Sequence, residues 1–78
     1  MLKKSTDCIM NKVYEYRVLK KMSQSELADV VGVSKQTIFV MEKNNYIPSL
    51  LLAYRIANFF EVSIDGIFTY TKGGNKDV

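Results

Sequence analysis

The chain has 78 residues, 47% of them hydrophobic and 24% charged, and a net charge of +3. That length supports one domain with one small core, and a single cysteine, Cys8, excludes an intrachain disulfide, so apolar packing alone must hold the fold. No Cys/His cluster of metal-binding type is present, and no apolar run approaches the roughly 18 residues of a membrane span.

The first residues, Met-Leu-Lys-Lys, lead into polar Ser5, Thr6 and Asp7 instead of the apolar stretch of a signal peptide. The expectation is a soluble protein of a reducing cytoplasm. Lys3, Lys4, Lys72 and Lys76 with Asp7 and Asp77 place most of the net charge at the two ends and leave +1 for residues 8–71. Charge therefore points only weakly to a polyanionic partner. Residues 1–8 read as a polar lead-in and 71–78, with "KGGNKDV" from Lys72, as a mobile tail; 9–70 read as one unit without linker or repeat.

In chain order, "CIM" at 8–10 and "FTY" at 68–70 are β-compatible runs flanking a helical body, and they are expected to pair as a two-stranded ribbon. From about Asn11 to Lys21, Val13 and Tyr16 form an apolar strip at helical spacing. Ser23 with Glu26 is a capping box for a second helix whose inward face is Leu27, Ala28 and Val31; Gly32 ends it in the left-handed conformation. Ser34 caps a third helix to about Lys43, with Ile38 and Met41 inward beside Val33. "NNYIPS" is a turn, since Asn44 tolerates positive φ and Ile47 before Pro48 is pushed out of the helical region.

Ser49 caps a fourth helix to about Phe60, apolar nearly all round and so the central pillar of the core. Ser63 opens a last turn, "SIDGIF", in which Ile64, Ile67 and Phe68 close the base. The expected fold is all-α, about five short helices with a small terminal ribbon.

The turn at Gly32 is too short for its flanking helices to lie antiparallel. Two short helices joined in this way form a helix-turn-helix, which presents the start of its second helix to a DNA major groove. Lys35, Gln36 and Thr37 are polar at that projecting end.

The words "SQSELADVVGVSKQTIFVMEKN" and "YIPSLLLAYRIANFFEVSIDGIF" resemble the Cro and phage-repressor type of helix-turn-helix regulators, also called Xre-like, over roughly residues 11–70. The resemblance implies a lambda-repressor-like DNA-binding domain, within a compact single-domain subgroup of dimeric repressors. It places Gln24 on phosphate and Gln36 on a base, where the amide matches adenine N6 and N7; Lys35 suits guanine O6 and N7. Thr37, Lys43, Asn44 and Asn45 fall to the sugar-phosphate backbone, although Asn also suits such a turn without any contact. Val40 is base-facing, with Phe39 on the rim, and an apolar residue there packs on a thymine methyl. Arg17 and Glu42 match an ion pair that ties the first helix to the end of the third.

The resemblance therefore implies a sequence-specific transcriptional regulator, a repressor gripping an inverted repeat of double-stranded DNA as a homodimer. The candidate dimer surface is the base: Phe60, Ile64, Ile67, Phe68 and Tyr70. Val30, Phe39 and Leu51 are apolar where the family pattern turns outward. Phe39 and Val40 favour the alternative, a protein-binding module on the same fold such as an antitoxin. An enzyme is not expected, because there is no His and Cys8 has no partner for nucleophilic catalysis; no cofactor, metal or small-molecule site is evident. Two departures weaken the base: Glu61 stands where Gly or Asn often ends the fourth helix, and Gly66 lies inside the final turn, each at a cost of ~1 kcal/mol.

Overall fold

The computed structural model describes residues 7–73. Most of the lead-in and the end of the tail expected to be mobile lie outside the described residues. Cys8–Asn11 (β1) pairs antiparallel with Phe68–Thr71 (β2), in a register that sets Cys8 opposite Thr71 and Asn11 opposite Phe68. The expected ribbon forms and extends one residue further at Asn11 and Thr71, and its outer residues, Cys8 and Thr71, lie just beyond 9–70. Beyond it, the Asp7 carboxylate accepts hydrogen bonds from the Tyr70 hydroxyl and the Gly73 N–H, each at 2.6 Å. Thr71 therefore belongs to the ribbon and not to a tail.

Five helices lie between the strands: α1 (Val13–Leu19), α2 (Gln24–Val31), α3 (Lys35–Glu42), α4 (Leu50–Phe59) and α5 (Ile64–Ile67). Four start as the serines predict. Ser23, Ser34, Ser49 and Ser63 each accept from the N–H three residues on, and Glu26 closes the capping box by accepting from Ser23 N–H at 2.7 Å. Each such cap stabilises its helix by about 1 kcal/mol relative to Ala. α1 begins later than expected because Asn11 is in the strand; its side-chain oxygen accepts from Val13 N–H at 3.0 Å.

The helix ends share one device. Lys21, Gly32, Asn44 and Glu61 all have positive φ, at 58°, 82°, 61° and 59°. The residue after each donates its N–H back five positions: Met22 to Arg17, Val33 to Ala28, Asn45 to Val40 and Val62 to Ala57, at 3.0–3.1 Å. These are Schellman ends, in which the left-handed residue turns the chain and orphan carbonyls find donors. Gly32 and Asn44 fill that position at little cost; Lys21 and Glu61 carry a Cβ into it.

The helices enclose a core centred on Val13, Leu27, Ile38, Met41, Ile56 and Ile67, all fully buried. Burial of each contributes about 1.5–3 kcal/mol relative to exposure. α4 is the pillar expected, but on one face only: Leu52, Ala53, Ile56 and Ala57 point inward, whereas Leu50 is in solvent. No helix among the described residues is long and apolar enough to cross a membrane.

Candidate nucleic-acid interface

α2, the Gly32 turn and α3 form the expected unit. Ile38 and Met41 are 0% exposed and fix the inward face of α3. At its start Ser34 accepts from Thr37 N–H at 3.1 Å, and the two hydroxyl oxygens lie 3.0 Å apart. The Thr37 hydroxyl is thereby held against the cap, half-buried, while Lys35 and Gln36 in the same turn are exposed. Gln36, Phe39 and Val40 stand at i, i+3 and i+4, so they share the outward face. Val40 is half-buried on that face and Phe39 is 40% exposed. The Lys43 ammonium sits 5.0 Å from the centroid of the Phe39 ring.

Behind this face the Glu42 carboxylate collects three donors. Arg17 Nε donates to Oε2 at 2.6 Å and Nη2 to Oε1 at 3.0 Å, and Gln24 Nε2 donates to Oε1 at 3.0 Å. The third guanidinium nitrogen, Nη1, donates to the Met22 carbonyl at 2.7 Å. The Arg17 and Glu42 side chains are only 11% and 6% exposed. The hydrogen bond to Glu42 raises the Arg17 pKa further above its ordinary value, against the opposing effect of burial. The ion pair expected from the family pattern is formed, in the bidentate geometry that orients as well as attracts.

Gln24, expected on phosphate, thus has its amide nitrogen turned onto Glu42. That nitrogen carries two hydrogens, and the second is what remains for a phosphate. Tyr14, Arg17, Gln24, Phe39, Glu42 and Lys43 line a shallow groove of about 260 Å³ along the side of α3. Tyr14, missed in the sequence, reaches this groove from α1 with its ring 5.3 Å below the Arg17 guanidinium carbon.

Asn44 and Asn45 follow α3 in an exposed loop with Lys43. The Asn44 side-chain oxygen accepts from both Asn11 N–H and Asn11 Nδ2, each at 3.1 Å, and Asn11 Nδ2 also donates to the Met41 carbonyl at 2.8 Å. Asn11 therefore ties the ribbon to the end of α3. The only signal for it was an Asn just before a helix, which says nothing of a contact some thirty residues away.

Of the candidate dimer surface at the base, some residues were expected to serve the core as well, and most of them do. Phe60, Ile67 and Phe68 are buried within the monomer and Ile64 is half-buried against the same core. Of the five residues only Tyr70 is exposed, and its hydroxyl is bonded to Asp7. A side chain already enclosed by its own chain has little area left to give a second copy. Val30, Phe39 and Leu51 do face outward, as the pattern implied.

A family profile described as helix-turn-helix matches residues 13–67, from the start of α1 to the end of α5. The chain belongs to the Cro/C1-type helix-turn-helix family. Membership supports DNA-binding transcription regulation as its function. An HTH-type transcriptional regulator of Methanocaldococcus jannaschii is 52% identical over 60 residues, 77% of this chain and 91% of that protein. The HTH-type transcriptional regulator YgzD of Bacillus subtilis is 43% identical over 58 residues, 74% and 88% of the two chains. A crystal structure of the transcriptional regulator VanUg superposes with a TM-score of 0.68 over 92% of this chain and 95% of that one. At 20% identity that likeness shows the fold.

Proposed function

We propose that this helix-turn-helix protein is a repressor that occupies an inverted-repeat operator as a homodimer, with α3 of each copy in a major groove. The observation that carries the reading is the first turn of α3. Lys35 and Gln36 are exposed there on a helix whose start is capped and whose opposite face is buried. Gln36 reads adenine through its amide, Lys35 a guanine edge or a phosphate, and Val40 beside them packs on a thymine methyl. Thr37, Gln24 and the Lys43–Asn45 loop set register on the backbone. One module this small makes few base contacts, so useful affinity comes from two half-sites about 34 Å apart.

The test is selection from random double-stranded DNA, repeated at two salt concentrations. The expected result is an inverted repeat with one-turn spacing. Affinity should fall with salt by about 0.9 log units per log unit for each phosphate neutralised. Gln36→Ala should weaken binding by roughly 5- to 150-fold and relax the preference at one A·T pair. A second reading, a protein-binding module such as an antitoxin, is favoured by the exposed Phe39 ring. No enrichment at low salt would refute the operator reading in favour of that one.

A further inference from the structure

Among the described residues, five large apolar side chains that stand in solvent fall within the nine positions from Tyr46 to Tyr54. Tyr46, Ile47, Leu50, Leu51 and Tyr54 are 40%, 66%, 70%, 62% and 54% exposed. They occupy the loop after α3 and the first half of α4. The sequence there is uncharged from Asn44 to Tyr54, eleven residues in a row in a chain that is 24% charged. On α4, Leu50 and Leu51 stand four and three residues before Tyr54, so the three form one stripe opposite the buried face. A helix facing water carries charged and polar residues at such positions. Beside the stripe, Ile47, Pro48 and Leu50 border a groove of about 260 Å³ floored by Ala53, Ile64 and Phe68.

We propose that this face docks a second copy of the chain, α4 against α4 across a twofold axis. The inference deepens the homodimer reading above and rests on it for the choice of partner. Three observations favour that occupant. The exposed apolar area is on the order of 500 Å², close to the apolar share of the ~800 Å² that each partner contributes to a standard interface. Residues near a twofold axis meet their own copies, so any charge there meets its like, and this long uncharged stretch avoids that repulsion. A charged partner would find no countercharge on it. Finally, the patch continues directly from the Lys43–Asn45 loop, so two copies joined there stay beside the elements assigned to DNA.

The surface differs from the base expected in the sequence. Phe60, Ile67 and Phe68 lie in the monomer core, and Ile64 and Phe68 contribute only the floor of the groove. The ribbon carries Tyr70 on a separate exposed surface, which supplies a control.

Sedimentation equilibrium at micromolar concentrations tests the proposal. The wild-type chain should run at twice its 8.9 kDa mass. Leu51→Glu should run as a monomer, its dissociation constant raised about 100-fold or more by two carboxylates facing across the axis. Leu51→Lys should do the same, and mixing the two variants should restore a dimer. Tyr70→Glu should remain dimeric. Far-ultraviolet circular dichroism should show both Leu51 variants folded, since that side chain lies outside the core. A dimeric Leu51→Glu chain or a mixture that stays monomeric would overturn the twofold contact. A monomeric wild type would overturn it too, leaving the patch to a different protein. DNA binding separates the two readings. Leu51→Glu should keep the wild-type affinity for one half-site and lose the gain from the inverted repeat, whereas a wild-type dimer that Leu51→Glu breaks but that enriches no DNA sequence even at low salt refutes the operator reading alone.

Discussion

Removing the Glu42 carboxylate tests the centre of the structure. In Glu42→Ala the Arg17 guanidinium, 11% exposed, loses both charge-assisted bonds, and the Gln24 amide loses its acceptor. An uncompensated, largely buried charge costs ~3 kcal/mol. A chain of this size has a total stability of about 4–12 kcal/mol, so the loss is a large fraction of it. At about 4–8 °C per kcal/mol, the melting temperature should fall by roughly 12–24 °C. Thermal unfolding followed by circular dichroism at low concentration reads this directly.

The companion variant joins Arg17→Met to Glu42→Leu. With the charge and its partner both replaced by apolar groups, stability should return to within about 1–2 kcal/mol of wild type. Operator affinity should stay low, because Gln24 remains without the carboxylate that orients it. The raised Arg17 pKa means that the contribution of the guanidinium is present in full below its unfolded value and is lost only above a still higher one. Mildly alkaline buffers should therefore leave the pair intact. A Glu42→Ala chain melting within about 2 °C of wild type would refute the reasoning and place the pair in effective contact with water.

Two further outcomes follow from the termini of the elements. Glu61→Gly should raise stability by about 0.5–1 kcal/mol, since the residue at φ 59° no longer carries a Cβ into the left-handed region; a lower melting temperature in thermal unfolding would refute it. The Tyr70 phenol should titrate above its ordinary value, chiefly because its hydroxyl donates to the Asp7 carboxylate. The clasp is then fully present below the unfolded phenol pKa and is lost as pH rises through the folded one. Absorbance at 295 nm, with Tyr70→Phe as the reference, should show that Asp7→Asn moves this titration downward; an unmoved titration would remove the clasp.

What the sequence made legible was local. A serine three residues before the N–H it accepts from is a signal within one turn; Ser23, Ser34 and Ser49 cap as read, and Ser63 caps the turn it was read to open. The exposed polar start of α3 followed from the Ser34 cap, and the left-handed Gly32 from its lack of a Cβ. Lys21 was not legible in this way, because nothing in its chemistry announces a positive φ; only the back-bond from Met22 to Arg17 reveals it. Asn11 was hidden for another reason, since its partners at Met41 and Asn44 are brought to it by the fold. The apolar residues of the base and of α4 were equally apolar in sequence. Only the packing separates Ile67, enclosed by its neighbours, from Leu50, which is 70% exposed.

The long-range contacts also leave the start of α3 free to vary, as the proposed base reading by that turn requires. Its C-terminal end is held twice, by Arg17 on Glu42 and by Asn11 on the Met41 carbonyl, and its inner face by the burial of Ile38 and Met41. The side chains assigned to bases, Lys35 and Gln36, lie at the other end and take part in none of these contacts. Their replacement removes no buried group and breaks no element of the network, so under the proposed function DNA preference and stability fall to different residues of the same eight-residue helix. Gln24 is the exception. Its amide both joins the Glu42 network and faces the groove beside α3, so Gln24→Ala should lower binding and stability together, whereas Gln36→Ala should lower binding alone.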